Sequence, residues 1–143
     1  MSISKANAQW DGTLKAGKGV MKPAHSVEVP FSLGSRFEGQ PGSNPEELLG
    51  AALAGCFSMA LSLSLEMAGA PPKAIRTSAA VKLDKDGAGF TITAIDLLTE
   101  AVVPGIDDAK FQGVAEATKK GCPVSKALAS VGSITLKAIL TPS

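Results

Sequence analysis

The chain has 143 residues, of which 45% are hydrophobic and 19% charged, with 14 Lys and Arg against 13 Asp and Glu and a formal net charge of +1. That length suits one domain spanning 1–143, since domains typically run to about 100–150 residues. A near-neutral charge supplies no field for nucleic acid or an anionic membrane, and no Tyr, one Trp and five Phe leave little for an aromatic platform that stacks on single strands.

Residues 1–43 read as short strands and turns, punctuated by Trp10-Asp11-Gly12, Gly17-Lys18-Gly19 and Phe31-Ser32-Leu33-Gly34, with Val27-Glu28-Val29 as a strand fragment. The pattern predicts an antiparallel meander. A helix follows over about 45–68: Asn44 can cap it, Pro45 suits its first position, Glu46 and Glu47 complement its dipole, and Gly69 with Pro71-Pro72 ends it. Its uncharged run, 48–65, imitates a membrane span in length. The glycines and serines inside that run, and acids rather than cations at its ends, point instead to a helix buried on all sides within a protein or dimer.

Beyond the helix, Ile75, Thr77, Ala79, Val81 and Leu83 alternate with Arg76, Ser78, Ala80 and Lys82, and 90–100 is β-branched and apolar, with Asp84-Lys85-Asp86-Gly87 as the turn of a hairpin. A second helix is predicted over about 108–120, stopped by Gly121. A short third one runs from Pro123 to Ala129. Alternation of Ile134, Leu136, Ala138 and Leu140 with polar residues makes a last strand. These elements together give an α+β domain.

The residues able to carry chemistry are few. The N-terminus lacks the basic stretch and apolar run of a secretory signal, so a cytoplasmic, reducing setting is expected. Two cysteines and His25 fall short of a four-ligand metal site, and neither metal nor cofactor is expected. Cys56 lies on an apolar helical stripe with Leu49, Ala52, Leu53, Ala60, Leu63 and Met67, and local context reads it as a small buried hydrophobe. Cys122 precedes Pro123 at a helix start, one turn after Lys119 and Lys120, where a thiol pKa falls. Spacing alone makes Cys122 the more reactive of the two, or else a solvated loop cysteine. Arg36 reads locally as a surface charge and Glu46 as a first-turn acid.

Three blocks change that ranking. Arg36-Phe37-Glu38-Gly39, the run from Ser43-Asn44-Pro45-Glu46-Glu47 through Ala54-Gly55-Cys56-Phe57-Ser58, and Gly121-Cys122-Pro123-Val124-Ser125-Lys126 resemble the core of the OsmC/Ohr family of thiol peroxidases, in its OsmC branch. The resemblance implies an OsmC-like fold, with antiparallel sheets around a long buried central helix in an intertwined homodimer. It implies that Cys56 is the peroxidatic thiol, Cys122 the resolving thiol, and Arg36 and Glu46 the polar pair serving Cys56. It implies a small organic hydroperoxide as substrate and a dithiol reductant of lipoyl type. At Leu53, where the branch often has His, this chain is apolar. Leu53, Phe57 and Met59 near the thiol suggest an apolar approach that favours alkyl hydroperoxides. The alternative is a non-catalytic redox-sensing or ligand-binding module on the same scaffold.

The chemistry accounts for these residue types. A thiolate must attack one peroxide oxygen and expel an alkoxide, and a guanidinium held by a carboxylate stabilises both anions. A cysteine in mid-helix has no help from its own helix terminus. Ten residues of helix, at about 1.5 Å each, put Glu46 about 15 Å along the axis from Cys56, so a working pair of these two requires a second chain and a site shared across a two-fold interface.

Overall fold

Turn chemistry at the start of the chain yields three short strands, β1 (Ala6–Asp11), β2 (Lys18–Pro23) and β3 (Val29–Phe31), paired antiparallel in that order. The computed structural model describes residues 1–142, and these strands belong to the first of two compact units, Met1–Leu48; the second begins at Leu49. Gly19 on β2 lies opposite Phe31, and a Cβ there would meet the Phe31 ring at 2.6 Å. Glycine at that position admits the ring, which packs on Trp10 with centroids 5.3 Å apart. The expected meander is present, with its third strand two residues later than the Val27–Val29 fragment. One element was not expected: α1 (Leu33–Phe37). Ser32 and Ser35 form a reciprocal capping box, Ser35 N–H to Ser32 Oγ at 3.0 Å and Ser32 N–H to Ser35 Oγ at 2.8 Å. Five residues are too short for helical periodicity to show, so only the cap marks this turn in the sequence.

The long helix α2 (Pro45–Met67) starts as its cap predicts, with Asn44 Oδ1 accepting from the Glu47 N–H at 2.8 Å, and ends before Gly69 at φ +79°. In the second unit it lies on a sheet of β4 (Ala74–Asp86), β5 (Gly89–Val102) and β6 (Ser133–Thr141), ordered β4-β5-β6. The hairpin β4-β5 is longer than predicted and turns tightly at Gly87, φ +60°. Residues read as turn extend the ladder because Thr91 and Thr93 donate to the Asp86 and Asp84 carboxylates across it. β6 pairs with β5 in parallel, so this sheet is mixed where antiparallel sheets were expected. The connection from β5 to β6 holds α3 (Asp108–Gly121) and α4 (Pro123–Ala127), and a helical crossover returns the chain in the same direction.

The core forms between one face of that sheet and the helices. Ile95, Leu97, Thr99 and Ala101 alternate inward on β5, against Leu53, Phe57, Leu61 and Leu65 of α2 and Phe111 and Ala115 of α3. The four α2 residues are 0% exposed and spaced by four, which makes one ridge on the helix. The opposite face is not covered: Met59 is 78%, Leu63 58% and Met67 81% exposed. The expectation of a helix buried all round therefore fails within the single chain. Of the stripe expected to be buried with Cys56, Leu63 and Met67 lie outside the core, because a four-residue repeat selects the ridge. Although α2 is long and apolar enough to cross a membrane, its buried ridge makes it the core helix of this unit. Phe57→Ala is expected to lower stability by about 3–5 kcal/mol, read from chemical unfolding midpoints at unchanged slope.

Candidate active site

The structure brings the four expected residues together as two pairs, one in each unit. In the first, α1 fixes Arg36: the Arg36 N–H bonds to the Ser32 carbonyl at 3.1 Å, and Ser35 Oγ reaches the Ser43 carbonyl at 2.6 Å, just before α2. Arg36 then engages Glu46 with two prongs, Nε to Oε2 at 3.0 Å and Nη2 to Oε1. The Glu46 side chain is 11% exposed and that of Arg36 36%, so the carboxylate is enclosed while the guanidinium keeps an open side. Arg36 also stands over the Phe37 ring, 5.3 Å from its centroid. A planar fork on a carboxylate fixes direction as well as charge. Arg36 lies at the surface, as its local context suggests, but as a paired rather than a solvated charge.

In the second unit, the Cys56 and Cys122 sulfurs are 2.8 Å apart and both thiols are free. Cys122 caps the C-terminus of α3, its N–H bonding to the Thr118 carbonyl at 3.0 Å, while the Thr118 and Ser64 hydroxyls of α3 and α2 are hydrogen-bonded at 3.2 Å. That tether anchors the Cys122 turn to the helix carrying Cys56. On the other side of α2, Ser58 Oγ donates to Thr77 Oγ1 at 2.8 Å, which lies 2.9 Å from Thr99 Oγ1, so a part-buried hydroxyl chain fixes the helix on the sheet. Cys122 is 1% exposed, and Cys56 is half-buried at the flank of the core ridge, about 60° around the helix from Leu53. The alternative of a solvated loop cysteine at 122 does not hold, because Cys122 is buried.

Burial and the thiols themselves dominate the electrostatics at the sulfurs, and α4 adds to them. The first amides of a helix have no partner within it, and the Val124 N–H serves Cys56 while the Val124 and Ser125 N–H groups serve Cys122. A mid-helix cysteine thus receives help from the terminus of another helix, which sequence spacing did not foresee. Burial pushes the Cys56 thiol up, and contact with Cys122 pushes it further. Burial also opposes ionisation of Cys122, but the Cys56 thiol, the Ser125 amide, the nearby Ser125 hydroxyl and the Val124 amide together outweigh it and lower its pKa. The two thiols titrate as a pair, with one proton released easily and the other held. Lys119 contributes little to this balance, because it is paired with Glu116 at 2.6 Å.

Two further expectations change. Leu53 and Phe57 are 0% exposed and belong to the core, so of the three residues read as an apolar approach only Met59 is open to a substrate. Thr118, Ser64, Val124 and Ser125 were not singled out by sequence reasoning. The one signal for the last two is their place in the Gly121 to Lys126 block. Among the described residues no group of three or more His, Cys, Asp or Glu side chains converges to hold a metal ion.

The chain matches the family model described as OsmC-like protein over residues 37–137. It is 52% identical over 126 residues to Peroxiredoxin OsmC of Escherichia coli K12, covering 87% of this chain and 88% of that protein. Among solved structures it resembles the organic hydroperoxide resistance protein OhrB of Bacillus subtilis, with a TM-score of 0.69 and 26% identity over 96% of this chain and 98% of that one. An organic hydroperoxide resistance protein OsmC from Legionella pneumophila shares the fold, with a TM-score of 0.73 at 16% identity over 98% and 100% of the two chains.

Proposed function

This chain belongs to the OsmC-like protein family, and from that premise we propose that it is a thiol-dependent peroxidase reducing organic hydroperoxides to alcohols. The observation that carries the reading is the Cys56–Cys122 contact at 2.8 Å, between residues 66 apart in sequence. The family match runs across both compact units, which supports reading 1–143 as one functional domain.

Cys56 is the peroxidatic thiol because it is the more accessible of the two. Its proton passes to Cys122 across the contact, and the Cys56 thiolate attacks a peroxide oxygen. A sulfur–oxygen bond forms, the O–O bond breaks, and the departing alkoxide takes the proton back from Cys122, leaving as the alcohol and returning Cys122 to the thiolate. Cys56 is then a sulfenic acid. The Cys122 thiolate attacks its sulfur, closing the disulfide and releasing hydroxide, which is neutralised to water. An external dithiol of lipoyl type restores both thiols by exchange. The cytoplasm suits this cycle, since a reducing compartment keeps the cysteines free between turnovers.

The exposed face of α2, with Met59, Leu63 and Met67, supports a homodimer that covers it. Across a two-fold axis the partner's copy of the Arg36–Glu46 pair would meet Cys56 and stabilise thiolate and departing alkoxide, a reach that ten residues of helix deny within one chain. Mixing an inactive Cys56→Ser chain with an inactive Glu46→Ala chain is expected to restore turnover of an alkyl hydroperoxide with a dithiol in isolated, doubly tagged heterodimers. One of their two sites holds every intact group. A dead heterodimer built from folded, dimeric parents refutes the shared site, and absence of dithiol-dependent turnover in the unmutated protein refutes the peroxidase.

A further inference from the structure

Ser125 is buried, and its Oγ is the one buried side-chain oxygen or nitrogen among the described residues without a hydrogen-bond partner of regular geometry. A buried hydroxyl left unpaired carries a desolvation penalty, and native structures seldom leave one without use. Ser125 lies in the first turn of α4, three residues after Cys122, the N-cap of that helix, and the group beside its hydroxyl is the Cys122 sulfur. A neutral thiol is a weak acceptor, so the hydroxyl gains a full partner only when that sulfur is an anion. We propose that Ser125 holds Cys122 as the thiolate that closes the disulfide with Cys56.

The inference rests on the thiol chemistry proposed above and adds a residue to its second step. In that step the Cys122 thiolate attacks the sulfur of the Cys56 sulfenic acid, a sulfur–sulfur bond forms, and the S–OH bond breaks to release hydroxide. A protonated Cys122 could not begin it. The other groups near Cys122 do not replace the hydroxyl: Cys56 of α2 has become the electrophile, Lys119 of α3 is engaged with Glu116, and Lys120 and Lys126 are exposed. The Val124 and Ser125 amides remain, so loss of the hydroxyl weakens the thiolate without abolishing it.

Two measurements test this. In a Cys56→Ser background, where Cys122 is the only thiol, adding Ser125→Ala is expected to raise the pH midpoint of the Cys122 thiolate's ultraviolet absorbance, a readout that needs no reagent to reach the buried sulfur, by about 1–2 units, the equivalent of losing one hydrogen bond to a charged group. An unchanged midpoint overturns the proposal, and because no peroxide is involved it does so whether or not the protein is a peroxidase. With both cysteines present, Ser125→Ala is expected to slow disulfide closure after one equivalent of hydroperoxide by about three- to tenfold at neutral pH. A roughly tenfold loss of thiolate per unit is partly offset by the greater nucleophilicity of a more basic thiol. The deficit should vanish in alkaline buffer, where both proteins carry the thiolate. A deficit equal at every pH would mark a packing defect and overturn the proposal.

Discussion

Cys56→Ser is expected to abolish peroxide consumption, whereas Cys122→Ser should reduce one equivalent of hydroperoxide and then stall as a sulfenic acid or mixed disulfide. The loss in the first variant is complete because no other thiol can act: Cys122 is 1% exposed, and a peroxide cannot reach it. The second variant carries a further expectation from the geometry of the pair. Burial raises the Cys56 thiol most, and the hydrogen bond and charge of Cys122 add to it, while the Val124 amide works in the other direction. Removing Cys122 deletes two of the three raising influences, so the alkylation midpoint of Cys56 should fall. A lower midpoint means more thiolate at neutral pH, so Cys56 in Cys122→Ser should be alkylated faster than in the unmutated protein even though turnover has stopped. Normal turnover by Cys56→Ser would end the assignment, and a risen midpoint in Cys122→Ser would show that the two sulfurs do not share their proton in solution.

Arg36→Lys should leave the chain folded and slow peroxide reduction on the order of 10 to 1,000-fold, the range for losing one preorganised donor to a developing anion. Lysine keeps the charge but cannot make both contacts that Arg36 makes to Glu46, so the cation loses its direction. Glu46 is enclosed enough to need its partner, and Arg36→Ala should cost stability as well as rate, since it leaves a buried carboxylate uncompensated. Comparing single-turnover rates with thermal unfolding separates these effects. The Cys56 alkylation midpoint should rise in Arg36→Lys if the guanidinium acts on that thiol across a dimer. Unchanged rate and midpoint would leave the Arg36–Glu46 pair as a clasp between α1 and α2 with no part in the reaction.

Local chemistry along the chain was enough for most elements. Asn44, Pro45 and Gly69 delimit α2 because caps and terminators act within a turn of themselves, and alternation delimits β4, β5 and β6 because the pleat has a period of two. Cys122 was marked locally by its helix start and neighbouring lysines, but Cys56, Arg36 and Glu46 were legible as site residues only through the resemblance, since a buried-looking cysteine, a lone arginine and a first-turn acid have no local mark of chemistry. Other features depend on parts of the chain that are distant in sequence. Parallel pairing of β6 with β5 follows from where α3 and α4 return the chain. The contact between Cys56 and Cys122 needs the Thr118–Ser64 tether and the hydroxyl chain from Ser58 to Thr99. Which face of α2 is covered depends on the sheet beneath it: an all-apolar helix has no moment to choose a side, and the ridge from Leu53 to Leu65 is selected only when β5 and α3 close over it. Access to the two thiols was likewise hidden from spacing. Spacing rightly made Cys122 the more acidic, but acidity does not confer access, and only packing decides that Cys122 is enclosed while Cys56 keeps an open side.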